Sequence, residues 1–309
     1  MTPLRTAIIG FGKIAADQHV PAIAGNPRFE LAASVSRSGQ GPAPQFTSHQ
    51  EMLAALSGLD AAAITTPPGP RFAIAGDCIA AGLHLLLEKP PATTLGEIEE
   101  LRRLAVARGT TLFTTWHAQH NPAVAAAASL LQGKRIAEMR ITWHEDVHKW
   151  HPGQRWIWDA GGFGVFDPGI NAFSIATRIL PGALFVREAE LSFPANAETP
   201  IAAEIVFDSP AADGPLHCSL DWRREQDEEW TIAVRTSDGD RVDLRNGGAL
   251  LFVNGEPRDA AGDGEYPDLY RTFADLIDER RSLVDVEPLR LVADTLLVAS
   301  RKQVEAIRS

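Results

Sequence analysis

The stretch Ile8-Ile9-Gly10-Phe11-Gly12-Lys13-Ile14-Ala15 decides the fold. An apolar strand over residues 5–9 runs into a G-x-G-x-x-A turn, and a helix over residues 14–24 follows. Gly10 permits the tight turn, Gly12 lets backbone approach a pyrophosphate, and Ala15 is small enough for close packing of helix on strand. The helix start at Lys13 and Ile14 offers backbone N–H donors and a partial positive charge to phosphate groups. Glycine turns also occur in ordinary loops; the strand before this one and the helix after it favour dinucleotide binding.

Outward from the turn, residues 29–35, 61–65, 84–87 and 111–115 read as further strands, alternating with amphipathic stretches in the manner of a parallel sheet. A helix over residues 71–81 carries Phe72, Ala75, Cys78 and Ile79 on one face, with Gly82 placed to close it. Another opens on the capping box of Thr94 and Glu97, turns Ile98, Leu101 and Leu104 inward, and stops at Gly109. After about His120 strand-like runs follow one another: 137–147, 186–193, 201–207, 216–222, 230–235 and 250–253, one mostly antiparallel sheet. Two helices close the chain, one over residues 267–280 and one from Pro288 with Leu289, Val292, Leu296 and Ala299 in a stripe. The expected organisation is an α/β dinucleotide-binding domain over residues 1–120 and an α+β substrate domain over 121–309, the last helix bracing both.

A length of 309 residues suits two domains at about 150 residues each. Hydrophobic residues make up 45% and charged residues 22%, ordinary globular proportions that exclude a disordered or fibrous chain. Lys and Arg number 29 against 40 Asp and Glu, and the net charge of −11 repels polyanions, so neither nucleic acid nor an anionic membrane is an expected partner. Cys78 and Cys218, far apart in apolar surroundings, read as reduced buried thiols. Residues 1–10 lack a basic-then-apolar leader and no apolar run approaches the ~20 residues of a membrane span. The expectation is a cytoplasmic protein.

Sites that prefer NAD usually end the second strand on an acidic residue that holds the ribose 2′-hydroxyl. Here that position reads Ser34-Val35-Ser36-Arg37-Ser38. Arg37 suits a 2′-phosphate, with Ser36 and Ser38 donating hydrogen bonds, so NADP is the expected cofactor and NAD the alternative. His144-Glu145-Asp146-Val147-His148 has the spelling of a zinc motif, which works only on a helix. Met139, Ile141 and Trp143 alternate with the strand period, placing the two histidines about 13 Å apart, so no metal is expected. The acidic run from Glu225 to Glu229 reads as a solvated loop.

Glu88-Lys89-Pro90-Pro91 follows a parallel strand at its carboxyl end, where open α/β sheets bind ligands. With the glycine turn, Thr66-Pro67-Pro68, and Gly161-Gly162-Phe163-Gly164 leading to Asp167-Pro168-Gly169-Ile170-Asn171, the chain resembles the glucose-fructose oxidoreductase, inositol dehydrogenase and MocA family over nearly its whole length. That resemblance implies a Rossmann domain followed by an open-faced, mostly antiparallel sheet domain, through whose sheet homo-oligomers form. It also implies oxidation of sugar hydroxyls by a pyridine nucleotide, with Thr66, Pro67, Pro68, Glu88 and Lys89 at the cofactor, Lys89 in the active site and a cis peptide at Pro90.

Where most members carry His, this chain has Asn171, which can orient a hydroxyl but cannot exchange a proton near neutral pH. Together with His144-Glu145-Asp146, Trp150-His151-Pro152-Gly153-Gln154 and Trp156-Ile157-Trp158, the variant is similar to the bacterial aldose 1-dehydrogenases for L-arabinose and D-galactose. In that subgroup the positions of Asp167 and Asn171 are implicated in catalysis, and Lys89, His117, Glu145, Trp150 and His151 match pocket positions. Trp156 and Trp158 add flat apolar faces of the kind sugars stack on. Oxidising a cyclic aldose at C1 needs a hydride acceptor and a base for the O1 proton, and gives a lactone. Asp167 is the preferred base, with Lys89 donating to O1, or the two roles exchanged if Lys89 is neutral. The expected substrate is L-arabinose, D-galactose or D-fucose, which share ring configuration from C1 to C4. Oxidation of another sugar or cyclitol carbon, and a non-catalytic nucleotide-sensing regulator of the same fold, are the alternatives.

Overall fold

Six parallel strands among the described residues build the first sheet: β1 (Leu4–Ile9), β2 (Phe29–Val35), β3 (Gln45–Phe46), β4 (Ala61–Ile64), β5 (His84–Leu87) and β6 (Leu112–Thr114), in the order β3-β2-β1-β4-β5-β6. The computed structural model describes residues 2–39, 41–42 and 44–307. The order is that of the doubly wound sheet, whose direction reverses beside β1. Its central strands are buried on both faces, which explains the uninterrupted apolar run Ala61-Ala62-Ala63-Ile64.

The helix after the glycine turn is not the uniform one expected over residues 14–24. It opens with a wide π turn over Ala15–His19, closed by the Val20 N–H on the Ala15 carbonyl, and continues as α1 (Val20–Ala24). Pro21 has no N–H to give the preceding turn, and the wider turn absorbs the missing bond. Further along come α2 (His49–Ala55), α3 (Pro68–Ala80) and α4 (Leu95–Arg108). α4 carries the full capping box of Thr94 and Glu97 and ends on left-handed Gly109.

The chain separates into two compact units, and neither matches the expected 1–120 and 121–309. The first runs to His117 and resumes with Asp263–Val286; the second takes Ala118–Gly262 and the residues from Glu287 onward. The returning segment contains α8, Glu265–Asp278, whose stripe of Tyr266, Leu269, Tyr270, Phe273 and Ile277 is buried in one cluster with Ile8, Phe29, Ala61 and Phe113. A hydrophobic face of that size commits α8 to the first unit.

The second unit holds α5 (Pro122–Leu131), α6 (Val147–Trp150), α7 (Phe166–Ile179) and α9 (Glu287–Val298). Its strands are β7 (Ile136–His144), β8 (Phe185–Pro194), β9 (Ala202–Asp208), β10 (Leu216–Asp221), β11 (Glu229–Thr236), β12 (Arg241–Arg245), β13 (Leu250–Val253), β14 (Glu256–Arg258) and β15 (Ser300–Val304). They form one sheet in the order β14-β13-β12-β11-β7-β10-β9-β8-β15, antiparallel except where β7 meets β10 and β8 meets β15. Alternate residues Ala203, Ile205 and Phe207 of β9 and Leu216, Cys218 and Leu220 of β10 are buried, with Phe173 of α7 meeting Phe207 edge to face. Gly169 of α7 packs closely there: a Cβ on it would stand 2.5 Å from Leu220 Cδ1, so the buried leucine would have to shift.

Three local expectations are corrected. The strand expected to reach residue 147 stops at His144, because the Asp146 carboxylate accepts from the His148 N–H and starts the helical turn α6. The last helix stops at Val298 and the chain finishes as β15 beside β8; Leu289 and Val292 are buried as expected, but Leu296 is exposed. In the run expected to be a solvated loop, residues 225–227 are exposed as expected, but Glu228 is half-buried and bonded to Lys149 and to the Trp150 indole, and Glu229 opens β11. Among the described residues no helix is long and apolar enough to cross a membrane.

Candidate active site

The glycine turn lies at the carboxyl end of β1. Gly10 has φ +102°, a conformation L side chains rarely adopt, and a Cβ on it would stand 2.6 Å from the Thr66 nitrogen. The space a Cβ on Gly12 would enter is open to 4 Å. The hydroxyl of Thr66 is buried with no hydrogen-bond partner. A dinucleotide fits this set: open backbone at Gly12, a helix start beyond it, and an unmet buried hydroxyl needing a ligand group. Lys13 points to Asp17, one turn on, and Ile14 is exposed at the helix start. At the end of β2, Ser36 Oγ and Ser38 Oγ lie 2.8 Å apart, and the exposed Arg37 pairs with none of the described residues. Pro67 precedes α3 and Pro68 fills its first position, where a missing N–H costs nothing.

Lys89 follows β5 and is joined to Pro90 by a cis peptide, as the resemblance implied. Two groups hold this turn that sequence reasoning missed. Arg71, buried on α3, donates from Nη1 to the carbonyls of Glu88 and Pro90 and from Nη2 to that of Thr66. One guanidinium thus ties the ends of β4 and β5 together. The signal was present: a cation in the first turn of a helix opposes the helix dipole and needs a reason to be there.

The second group surrounds Glu88, which is 4% exposed. Its Oε1 accepts from Tyr266 Oη at 2.7 Å and from His19 Nε2 at 3.1 Å, while Oε2 accepts the Lys89 N–H at 2.9 Å. Tyr270 Oη meets His19 Nδ1 at 2.9 Å, so both tyrosines of the chain converge here. His117, matched to the pocket in the sequence reading, bonds through Nδ1 to Glu265 Oε2 at 2.9 Å and stacks on Tyr266.

Burial alone raises the Glu88 carboxyl, but the His19 hydrogen bond and charge, the His117 charge and the Tyr266 hydroxyl outweigh it and hold it well below its ordinary 4.5. Burial lowers His117, but Glu265 and the Glu88 charge overcome it and lift the imidazole above its ordinary 6.5 against the opposing charge of Lys89. The signs are opposite. The Glu88 contribution to stability is complete above pH 4.5 and is lost as pH falls through its depressed value. The His117 contribution is complete below pH 6.5 and is lost as pH rises through its raised value. The melting temperature should therefore fall on both sides of a maximum between these pH values, and Glu88→Gln should flatten the acid limb; an unchanged acid limb in that variant would reject the assignment.

In the second unit, Asp167 and Asn171 stand one turn apart on α7, a helix hidden in the sequence by its Gly and Pro residues. Asp167 is 5% exposed, and its Oδ2 lies 3.5 Å from His151 Nε2. Asn171 Oδ1 is buried without a hydrogen-bond partner, an acceptor fit for a ligand hydroxyl. Glu145, just past β7, accepts from Trp222 Nε1 at 2.9 Å and Trp230 Nε1 at 2.8 Å. Both indoles were missed, although a buried Trp advertises an N–H that needs an acceptor. Trp150 bonds to Glu228 and meets Trp230 edge to face; Trp156 bonds to Gln154; Trp158 packs on Trp222, as does His151. A cleft of about 330 Å³ beside them is lined by His148, His151, Gln154, Arg155 and Trp158. The second unit therefore brings Asp167, His151, Glu145 and the tryptophans into one neighbourhood, while Lys89 and His117 belong to the first.

Residues 4–115 match the family described as an oxidoreductase family with an NAD-binding Rossmann fold, the GFO_IDH_MocA family. The chain is 46% identical over 309 residues to galactose 1-dehydrogenase of Pseudomonas fluorescens, covering 99% of each protein. It superposes on the crystal structure of a D-galactose-1-dehydrogenase from Rhizobium etli with a TM-score of 0.94 at 44% identity, covering 100% of this chain and 99% of that one. A 3-ketoreductase variant from Actinomadura kijaniata, crystallised with NADP and TDP-benzene, shares the fold at a TM-score of 0.85 and 18% identity, covering 98% of this chain and 99% of that one.

Proposed function

We propose, because the chain belongs to the glucose-fructose oxidoreductase, inositol dehydrogenase and MocA family, that this sugar oxidoreductase oxidises C1 of a cyclic aldose to the lactone. D-galactose, D-fucose and L-arabinose are the candidate substrates; they differ only at the C5 substituent. The observation that carries the reading is Asp167 and Asn171 on successive turns of α7, in a chain 46% identical along its length to a galactose 1-dehydrogenase. A bound pyridine nucleotide supplies the hydride acceptor. Asp167 takes the O1 proton, Asn171 Oδ1 accepts a substrate hydroxyl and so orients it, and Lys89 donates to O1. His151, beside Asp167, is suited to a second hydroxyl, and Trp150 and Trp156 to the sugar face. His117 and Glu145 complete the polar contacts.

A spectrophotometric screen of pentoses, hexoses and cyclitols with NADP and NAD tests the reading. Turnover confined to aldoses with lactone as product supports it. Turnover on other polyols assigns a different carbon, and nucleotide binding with no turnover assigns a sensor.

NADP is the preferred nucleotide in this reading, since the second strand ends in Ser36-Arg37-Ser38 with no carboxylate and with a guanidinium that pairs with none of the described residues. Arg37→Ala should weaken NADP about tenfold or more and leave NAD unchanged. Equal losses for both in a fluorescence titration would remove the assignment. The reading extends to a homo-oligomer through the exposed face of the second sheet, where Arg140, Glu204 and Arg235 are exposed; light scattering at a monomer mass would reject it.

A further inference from the structure

We propose that His19 is a positioning residue for Lys89, acting through Glu88, and that it links the phosphate cradle to the active-site lysine; this rests on the reading of Lys89 as an active-site group. His19 touches neither a sugar nor a nucleotide in that reading. It is nonetheless a wholly buried imidazole at the end of the π turn that follows the glycine turn. Its two nitrogens face different partners: Nδ1 meets Tyr270 Oη at 2.9 Å, and Nε2 meets Glu88 Oε1 at 3.1 Å. The rings of Tyr266 and Tyr270 stand edge-on to it at centroid distances of 5.1 and 5.8 Å, which fixes its plane.

The donor inventory assigns the protons. An ionised Glu88 is an acceptor at both oxygens, so His19 Nε2 carries the hydrogen of that bond, while the Tyr270 hydroxyl meets Nδ1 on the other side of the ring. Glu88 is then held at Oε1 by His19 and Tyr266, and its remaining oxygen receives the N–H of Lys89 itself. The relay runs from the helix that begins at the cradle, through one imidazole and one carboxylate, to the backbone of Lys89. Arg71 holds the carbonyl side of the same turn, so Glu88 and Arg71 together fix the peptide from which the lysine projects. Removing the Nε2 donor leaves a buried carboxylate short of one bond, and the turn it holds loosens.

Two amide substitutions separate positioning from packing. In His19→Gln the side-chain nitrogen falls near the place of Nε2 and keeps the bond to Glu88. In His19→Asn it falls near Nδ1 and keeps only Tyr270. His19→Asn is expected to lower kcat about tenfold or more, with NADP and NAD affinities by fluorescence within about threefold of the unsubstituted protein, and His19→Gln to retain kcat within about threefold. A role confined to packing predicts equal losses in both variants, tracking their melting temperatures, and that result would overturn the proposal. So would a loss of nucleotide affinity as large as the loss of kcat. If the unsubstituted protein turns over no aldose, the dehydrogenase reading fails by itself. The relay is then decided by the acetylation rate of Lys89 in the ligand-free protein, followed by mass spectrometry. That rate should rise about threefold or more in His19→Asn and stay unchanged in His19→Gln; the same rate in both variants refutes it.

Discussion

Asp167→Asn is expected to lower kcat for aldose oxidation by about 10²–10⁴-fold, the usual contribution of a placed general base, and to leave nucleotide affinity unchanged. The substitution keeps the shape of the side chain and removes only its capacity to take a proton. Asp167 is buried in the first turn of α7, in the second unit, whereas the glycine turn, Thr66 and the Ser36-Arg37-Ser38 strand end all lie in the first. A loss of turnover without loss of nucleotide binding is therefore the signature. Asn171→Asp, which adds a carboxylate one turn away, should not restore the activity of Asp167→Asn if position 171 serves only to orient a hydroxyl. Near-normal turnover in Asp167→Asn would transfer the role of base to Lys89.

The second large effect is on stability. Arg71→Met deprives the carbonyls of Thr66, Glu88 and Pro90 of their shared donor, and no neighbouring group on α3 can replace a fork that serves three acceptors. At about 1–3 kcal/mol for each buried acceptor left unmet, and allowing for non-additivity, the loss is about 3–5 kcal/mol. In a unit of this size that lowers the melting temperature by about 10 °C. Arg71→Lys should recover only a small part of it, because an ammonium is a point donor without the planar fork. A melting temperature within about 2 °C of the unsubstituted protein would mean that water replaces the guanidinium at all three carbonyls.

The parallel sheet was legible because each of its features is local. The glycine turn, the all-apolar strand 61–64, the Thr94 capping box and Gly109 lie within a few residues of what they determine. The antiparallel strands were legible from the alternation in Ala203, Ile205 and Phe207. α7 was not, since Gly161, Gly162, Gly164, Pro168 and Gly169 carry the punctuation of a loop. Gly169 sits inside the helix where it packs closely on Leu220, a contact between distant parts of the chain. The site residues divide in the same way. Lys89, Asp167 and Asn171 sit in short motifs. His19, Arg71, Tyr266 and Tyr270 belong to no motif, and their meeting at Glu88 depends on α8 returning from far along the chain. The chain passes to the second unit at Ala118, close to the expected boundary at residue 120, and it is the same non-local return of residues 263–286 that a single boundary leaves out.

That return bears on how the polypeptide is made. As synthesis proceeds from the N-terminus, the first 117 residues leave the ribosome with Ile8, Phe29 and Phe113 lacking the aromatic stripe of α8 that covers them, and with Glu88 lacking Tyr266. The cover emerges only after everything from Ala118 to Gly262 has been translated. A truncated gene product ending at His117 should therefore be insoluble unless a fragment bearing 263–286 is co-expressed with it, and nascent chains of intermediate length are natural clients for chaperones that shield apolar surface.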